Sequence, residues 1–191
     1  MTGHGTAAAT GKPRALLAGL RPDLASTVAQ VAAALGFAVN GDGGLEIAGE
    51  EAQALLQEGP AISLFVLGAS PATRAESFPV RPTALIDAMA TALARQAVDD
   101  AVAVLVHDQA ARIASDAHGE QALYGRTLRA AIPVLALRHA PRLRVNAVVL
   151  GAMASGGPPP AAVARAVRLI AICRSMTGQV VNLTGESAVR N

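Results

Sequence analysis

Two kinds of apolar run alternate along this chain. Short, continuously apolar runs bounded by Gly, Pro, Asn or Asp read as buried strands. Longer runs with apolar residues three and four positions apart read as helices. A first strand is predicted at 14–19, followed by a helix opened by Pro22-Asp23. Leu24, Val28, Val31, Ala32 and Leu35 fall at helical spacing in it, and Gly36 closes it. Asp23 suits the N-cap or the first turn, where a carboxylate meets the positive end of the helix dipole. A short strand follows at 37–39, then a turn cluster at 40–44 and a modest helix within 45–58 that Gly59-Pro60 breaks. A buried strand is predicted at 61–67, ending at Gly68, then a loop at 69–82, a strong helix at 83–98 and a strand at 102–106. A polar stretch runs through Gly119. The helix expected at 120–139 contains Pro133, which predicts a kink or a fresh start there, because a mid-helix proline costs roughly 3 kcal/mol. A strand at 143–149, a Pro/Gly-rich loop at 150–160, a helix at about 160–174 and a strand at 178–183 complete the series.

Apolar strands without alternation, separated by helices, imply a mostly parallel sheet covered on both faces. The predicted fold class is α/β: a doubly wound, Rossmann-like sheet of about six strands. The β-α-β start is what a dinucleotide-binding half shows. Residues 13–191 form one domain. Residues 1–12 read as a disordered tail, and Gly3-His4-Gly5 within it precedes any strand, so it does not serve as a phosphate loop.

Composition narrows the function classes. The chain has 191 residues, is 52% hydrophobic and has no Trp and one Tyr, so its core is built from Ala, Val, Leu and Ile. Charged residues make up 16%, below the roughly 25% usual for globular proteins, which points to extensive burial, subunit contacts included. A net charge of +2 with no aromatic platforms argues against nucleic-acid binding. No apolar run is long enough to span a membrane. Cys173 is the only cysteine, so an internal disulfide or a C-x-x-C site is excluded, which fits a cytoplasmic setting. It is read as a small buried residue late in its helix.

Residues 143–151 read L-R-V-N-A-V-V-L-G and residues 176–185 read M-T-G-Q-V-V-N-L-T-G. This strand, helix, strand unit resembles the last third of the short-chain dehydrogenase/reductase family. The resemblance runs in order along the whole chain and is sharp after residue 134. It implies the doubly wound fold, a shortening between residues 40 and 60, and assembly surfaces on the helices at 83–98 and 120–140 and on the last strand.

The chemistry that the resemblance implies is poorly represented. The family's glycine-rich phosphate loop matches A-G-L-R-P-D-L-A: Gly19 is kept, while Asp23 and Ala25 stand at the other two glycine positions. Gly68 alone remains of the polar motif that ends a later strand. The family's catalytic Ser, Tyr and Lys map onto Asp108, Gln121 and Gly125. A slipped register would recruit Tyr124, but Lys12 is the only lysine, and Arg126 or Arg129 would have to supply the cation. A tyrosine near its ordinary pKa is a poor acid–base group without one.

The bland readings of other residues are a solvated loop pair for His107-Asp108, a plain loop for Ser115, Asp116 and His118, and a solvated or interface face for the arginines at 126, 129, 138, 142 and 144. No metal-ligand spacing occurs. The reading that emerges is a non-catalytic structural or regulatory subunit with no expected cofactor. It would form a homodimer or homotetramer, or pair with an active relative. The alternative is an NAD(P)-dependent reductase of a ketone or 3-oxoacyl thioester with a rearranged site. A third reading is a small-ligand module using the cleft near Asp108 and Gly151.

Overall fold

A computed structural model describes residues 12–40, 62–69, 78–96, 98–108, 118–151 and 158–184. The elements are β1 (Arg14–Ala18), α1 (Pro22–Ala34), β2 (Ala38–Asn40), β3 (Ile62–Gly68), α2 (Val80–Arg95), β4 (Ala101–Asp108), α3 (His118–His139), β5 (Leu143–Leu150), α4 (Pro160–Ile172) and β6 (Val180–Leu183). The six strands form one parallel sheet in the order β2-β1-β3-β4-β5-β6, with helices on both faces. This is the doubly wound α/β sheet expected from the sequence. The predicted tail, the turn cluster at 41–44 and the helix at 45–58 lie outside the described residues.

Near-continuous burial of β3 and β4 and complete burial of β5 explain why these strands do not alternate. One core face takes Phe65, Leu67, Leu105 and Val145 against Met89 and Leu93 of α2 and Tyr124, Leu128 and Ile132 of α3. The other takes Leu17, Val66, Val104 and Val148 against Leu24 and Val28 of α1 and Val163, Val167 and Ile170 of α4. Side chains therefore leave β4 on alternate faces, odd residues toward α3 and even residues toward α1 and α4.

Several local expectations change. Gly36 does end α1: at φ +90 it lets its own N–H reach the Ala33 carbonyl while Phe37 N–H reaches Ala32, a Schellman closure. The N-cap of α1 is Arg21, not Asp23, which sits in the first turn. α2 starts at Val80 rather than 83, because prolines are tolerated in a first turn whose N–H groups have no helical partner. α3 begins at His118, earlier than expected, and runs through Pro133 as one helix with no fresh start. Tyr124, Leu128, Ile132, Leu135 and Ala136 are buried along one face on both sides of the proline. That packing outweighs the missing hydrogen bond. Cys173 lies just past α4 as its C-cap, half-exposed rather than buried. Its thiol contacts Ser175 Oγ at 3.3 Å, and that hydrogen bond lowers its pKa.

The motif 143–151 ties the amino end of the sheet together. Asn146, fully buried, donates from Nδ2 to the Met176 carbonyl (3.0 Å) and accepts from the Gln179 N–H (3.0 Å). Gly178 N–H reaches the Val145 carbonyl at 2.8 Å, with Gly178 at φ +71. Arg144 is 8% exposed, not part of a solvated face. It donates from Nε to Asp100 (2.9 Å) and from Nη1 to the carbonyls of Ile170 (3.1 Å) and Cys173 (3.0 Å), which closes the end of α4.

Candidate functional site at the carboxyl edge of the sheet

Chain direction reverses between β1, which leads to β2 at one edge, and β3, which leads to β4 on the other side. Ligands of open α/β sheets bind outside the strand ends at such a switch point. Gly19, Gly68, Asp108 and Gly151 all stand at or just beyond the ends of their strands on this edge. A Cβ on Gly68 would lie 1.7 Å from the Gly19 carbonyl oxygen, so the turn after β1 rests directly on the end of β3. That turn holds only three residues, Gly19 to Arg21, before Pro22 opens α1. Proline has no N–H to offer an anion, and Asp23 adds a carboxylate to the first turn. Ala25 is buried inside the helix, with its N–H bonded to the Arg21 carbonyl at 2.8 Å.

Arg21 is held by two acids. Its Nη1 lies 3.1 Å from Asp108 Oδ2 and its Nη2 lies 3.4 Å from Asp23 Oδ2. The Asp108 side chain is 7% exposed, so the pair at the end of β4 is shielded, while Asp23 at 51% faces solvent. The reading of His107-Asp108 as a solvated loop pair is therefore corrected. Both residues belong to β4, which extends past 106; His107 is buried, and Asp108 is partly buried with its side chain shielded against Arg21.

His107 turns to the opposite face from Asp108. Its ring is 1% exposed and stands 5.5 Å from the Tyr124 ring, at 37°. Nδ1 lies 2.8 Å from the Ala69 carbonyl oxygen. A carbonyl can only accept, so Nδ1 carries the proton, and in the neutral ring Nε2 is an acceptor. Burial pushes the His107 pKa below its ordinary value. The bond to Ala69 opposes this, nearby Arg129 lowers it further, and Asp108 raises it. Tyr124 is fully buried in the α3 core face, beside His107 rather than in an open cleft. Gly125 is buried in α3; Gln121 lies one turn before it, and its side chain is outside the described residues. Arg129 reaches from α3 to β6, where Nη2 donates to Asn182 Oδ1 at 3.1 Å. The sequence did not single out His107 with Arg129. Their meeting follows from strand alternation once β4 is known to extend to Asp108. Ser115 and Asp116 lie outside the described residues.

Among the described residues no group of three His, Cys, Asp or Glu side chains is placed to hold a metal, and no helix is long and apolar enough to cross a membrane.

The architecture can be set beside solved structures. A double variant of a Serratia marcescens short-chain dehydrogenase/reductase superposes with TM-score 0.62 at 18% identity, covering 91% of this chain and 96% of that one. The chain has the short-chain dehydrogenase/reductase fold. A second structure of this fold, described as a small-chain dehydrogenase, gives 0.63 at 19% identity over 93% and 98% of the two chains. A Brucella ovis oxidoreductase of the short-chain dehydrogenase/reductase family, in complex with a partially ordered NAD, gives 0.62 at 15% over 91% and 100%. Neither a family model nor a curated protein matches the sequence.

Proposed function

We propose that the chain is a non-catalytic subunit of the short-chain dehydrogenase/reductase type, acting in a reducing compartment such as the cytoplasm and working through assembly. The observation that carries this reading is the Asp23–Arg21–Asp108 arrangement at the switch point. A pyrophosphate placed there meets two carboxylates, and Arg21, the cation between them, is already paired. Each repulsion at 4 Å is worth about 1 kcal/mol in water and about 4 kcal/mol at an effective dielectric of 20. Two further points support it: the catalytic lysine has no counterpart near α3, and the Tyr124 side chain is wholly buried.

The assembly surface is the outer face of α3. Leu123, Val134 and Leu137 are 46%, 58% and 82% exposed. With Thr127 and Ala130 they follow four- and three-residue steps along one helical face. The stripe is self-complementary. If two copies cross antiparallel about Ala130, Leu123 meets Leu137 and Thr127 meets Val134, as a two-fold interface requires. Ala84 and Ala88 on the exposed side of α2 leave room for close packing beside it. We propose a homodimer on this face, extendable to a tetramer or to pairing with an active relative.

Titration with NADH and NADPH, followed by nucleotide fluorescence, tests the reading. No saturable micromolar binding is expected, and micromolar binding overturns it. Native mass spectrometry should show a dimer that Leu137→Glu dissociates. The competing reading, an NAD(P)-dependent ketone or 3-oxoacyl thioester reductase, draws its support from the fold neighbour described with NAD. It requires turnover that falls steeply in Tyr124→Phe.

A further inference from the structure

Charge is segregated along this chain. Between Glu120 and Glu186 there are eight arginines and no lysine, aspartate or glutamate. Acids from earlier segments answer some of them: Asp87 meets Arg138, Asp99 meets Arg142, and Asp100 meets both Arg144 and Arg174. Arg165 and Arg168 form no ion pair among the described residues. Both stand on the exposed side of α4. Two large apolar side chains beside them are also exposed, Leu169 at 52% and Ile172 at 57%. Four-residue steps carry Arg165 to Leu169 and Arg168 to Ile172, so the four share one helical face. The opposite face, with Val163, Val167 and Ile170, is in the core.

The surface beside this stripe is small-featured and uncharged. α1 packs alongside α4 on the same face of the sheet. Each follows a strand of one parallel sheet, so the two helices run in the same direction. Past its first turn, α1 exposes Ser26, Gln30, Ala33 and Ala34. Its one charged residue, Asp23, lies in the first turn and already meets Arg21. Small side chains on α1 beside long ones on α4 form a step against which a third helix packs.

We propose that α4, with α1 beside it, docks an acidic amphipathic helix of a different protein. Apolar residues one turn apart on that helix cover Leu169 and Ile172, and its carboxylates meet Arg165 and Arg168. Arginine around a small apolar centre is the composition of protein interfaces. A second copy does not supply this chemistry through the same face, because a two-fold contact there gathers four arginines and no carboxylate. A phosphate backbone answers the arginines but leaves Leu169 and Ile172 without an apolar partner. Two aliphatic side chains with no aromatic are also a poor anchor for a bilayer. This face is separate from the α3 stripe, and docking on it does not depend on dimerisation there.

The test titrates the full chain into a labelled, stapled helical peptide, about eighteen residues long so that the helix is stable, with leucines one turn apart flanked by glutamates. Fluorescence anisotropy should saturate in the micromolar range and weaken as salt is added. Lysine in place of every glutamate should abolish binding, and alanine in place of every leucine should weaken it about tenfold or more. Arg165→Glu combined with Arg168→Glu should weaken the acidic peptide at least tenfold, with the thermal midpoint unchanged. Arg126→Glu, an exposed arginine on α3, should leave binding as it was. If the double reversal does not fold, Arg165→Gln with Arg168→Gln should weaken the peptide severalfold. No saturation, equal binding of the glutamate and lysine peptides, a double variant that binds like the parent, or an equal loss in Arg126→Glu each overturns the proposal. Duplex DNA or phosphatidylserine vesicles binding more tightly than the peptide through Arg165 and Arg168 overturns it in favour of a phosphate-bearing partner.

Discussion

The two ends of this sheet treat buried polar groups in opposite ways. At the amino end, both polar atoms of Asn146 are bonded, and the Arg144 guanidinium closes the carbonyls after α4 while pairing with Asp100. At the carboxyl end, His107 and Arg129 each keep a buried atom without a hydrogen bond among the described residues, and Arg21 is shared between two acids. A satisfied buried network rigidifies a fold, while each unsatisfied buried polar group costs stability. The residues that carry the family resemblance, R-V-N and T-G-Q, lie at the satisfied end. They report on how the last two strands are fastened and say little about chemistry at the other end.

The most damaging test of this contrast is Arg144→Ala. It removes the donor of the α4 carbonyls, while Asp100, 39% exposed, keeps Arg174 as a partner. Leaving a buried acceptor without its donor costs about 1–3 kcal/mol, and Arg144 serves more than one, so urea denaturation should show a loss of at least that size. A loss below about 1 kcal/mol would mean that the amino end is not the fastened one. Next comes Gly68→Ala. Its new methyl would meet the Gly19 carbonyl, which is backbone and cannot rotate away. Forced overpacking of this kind costs about 1–3 kcal/mol. The same variant should leave the amino-end network intact, with amide exchange at Gln179 unchanged.

Legibility followed the same division. The sheet, its element order and the closing glycine of α1 were readable because apolar periodicity and turn chemistry are local. The buried role of Arg144 was not, since five arginines close in sequence look alike until β5 places one of them under the end of α4. His107 and Asp108 were misread as loop because the apolar run stops at Val106, while β4 continues two residues into polar sequence. The continuation holds because Asp108 finds Arg21, and His107 finds the Ala69 carbonyl, both from distant segments. Pro133 carries the same lesson in reverse: a strong local signal was overruled by a helix face buried on both sides of it.

The carboxyl end should also reveal itself through pH. Burial lowers the His107 pKa in the folded state, so below about pH 6.5 the unfolded chain binds the proton more readily than the folded one. The His107 contribution is therefore fully present above that pH. It is lost as pH falls from about 6.5 toward the folded value, with a slope of at most about 1.4 kcal/mol per pH unit. Urea midpoints of the parent should decline through this window, and His107→Gln should remove up to one proton's worth of the slope. An unchanged slope would show that the imidazole is solvated and the two ends are less different than described.

The smallest expected effect is the most discriminating about Arg21. Its two acids differ in exposure: the Asp108 side chain is 7% exposed and that of Asp23 is 51%. A solvent-facing pair is worth about 0–1 kcal/mol and is screened by salt, whereas a shielded one is screened much less. Asp23→Asn should therefore change stability by no more than about 0.5 kcal/mol, a change that vanishes in molar salt. Asp108→Asn should cost more, and the cost should persist in molar salt. If the two variants are equal, or if salt erases both, Arg21 is simply a surface arginine among surface acids. The carboxyl edge then has no shielded charge to set against a phosphate, and the electrostatic argument against a bound nucleotide fails with it.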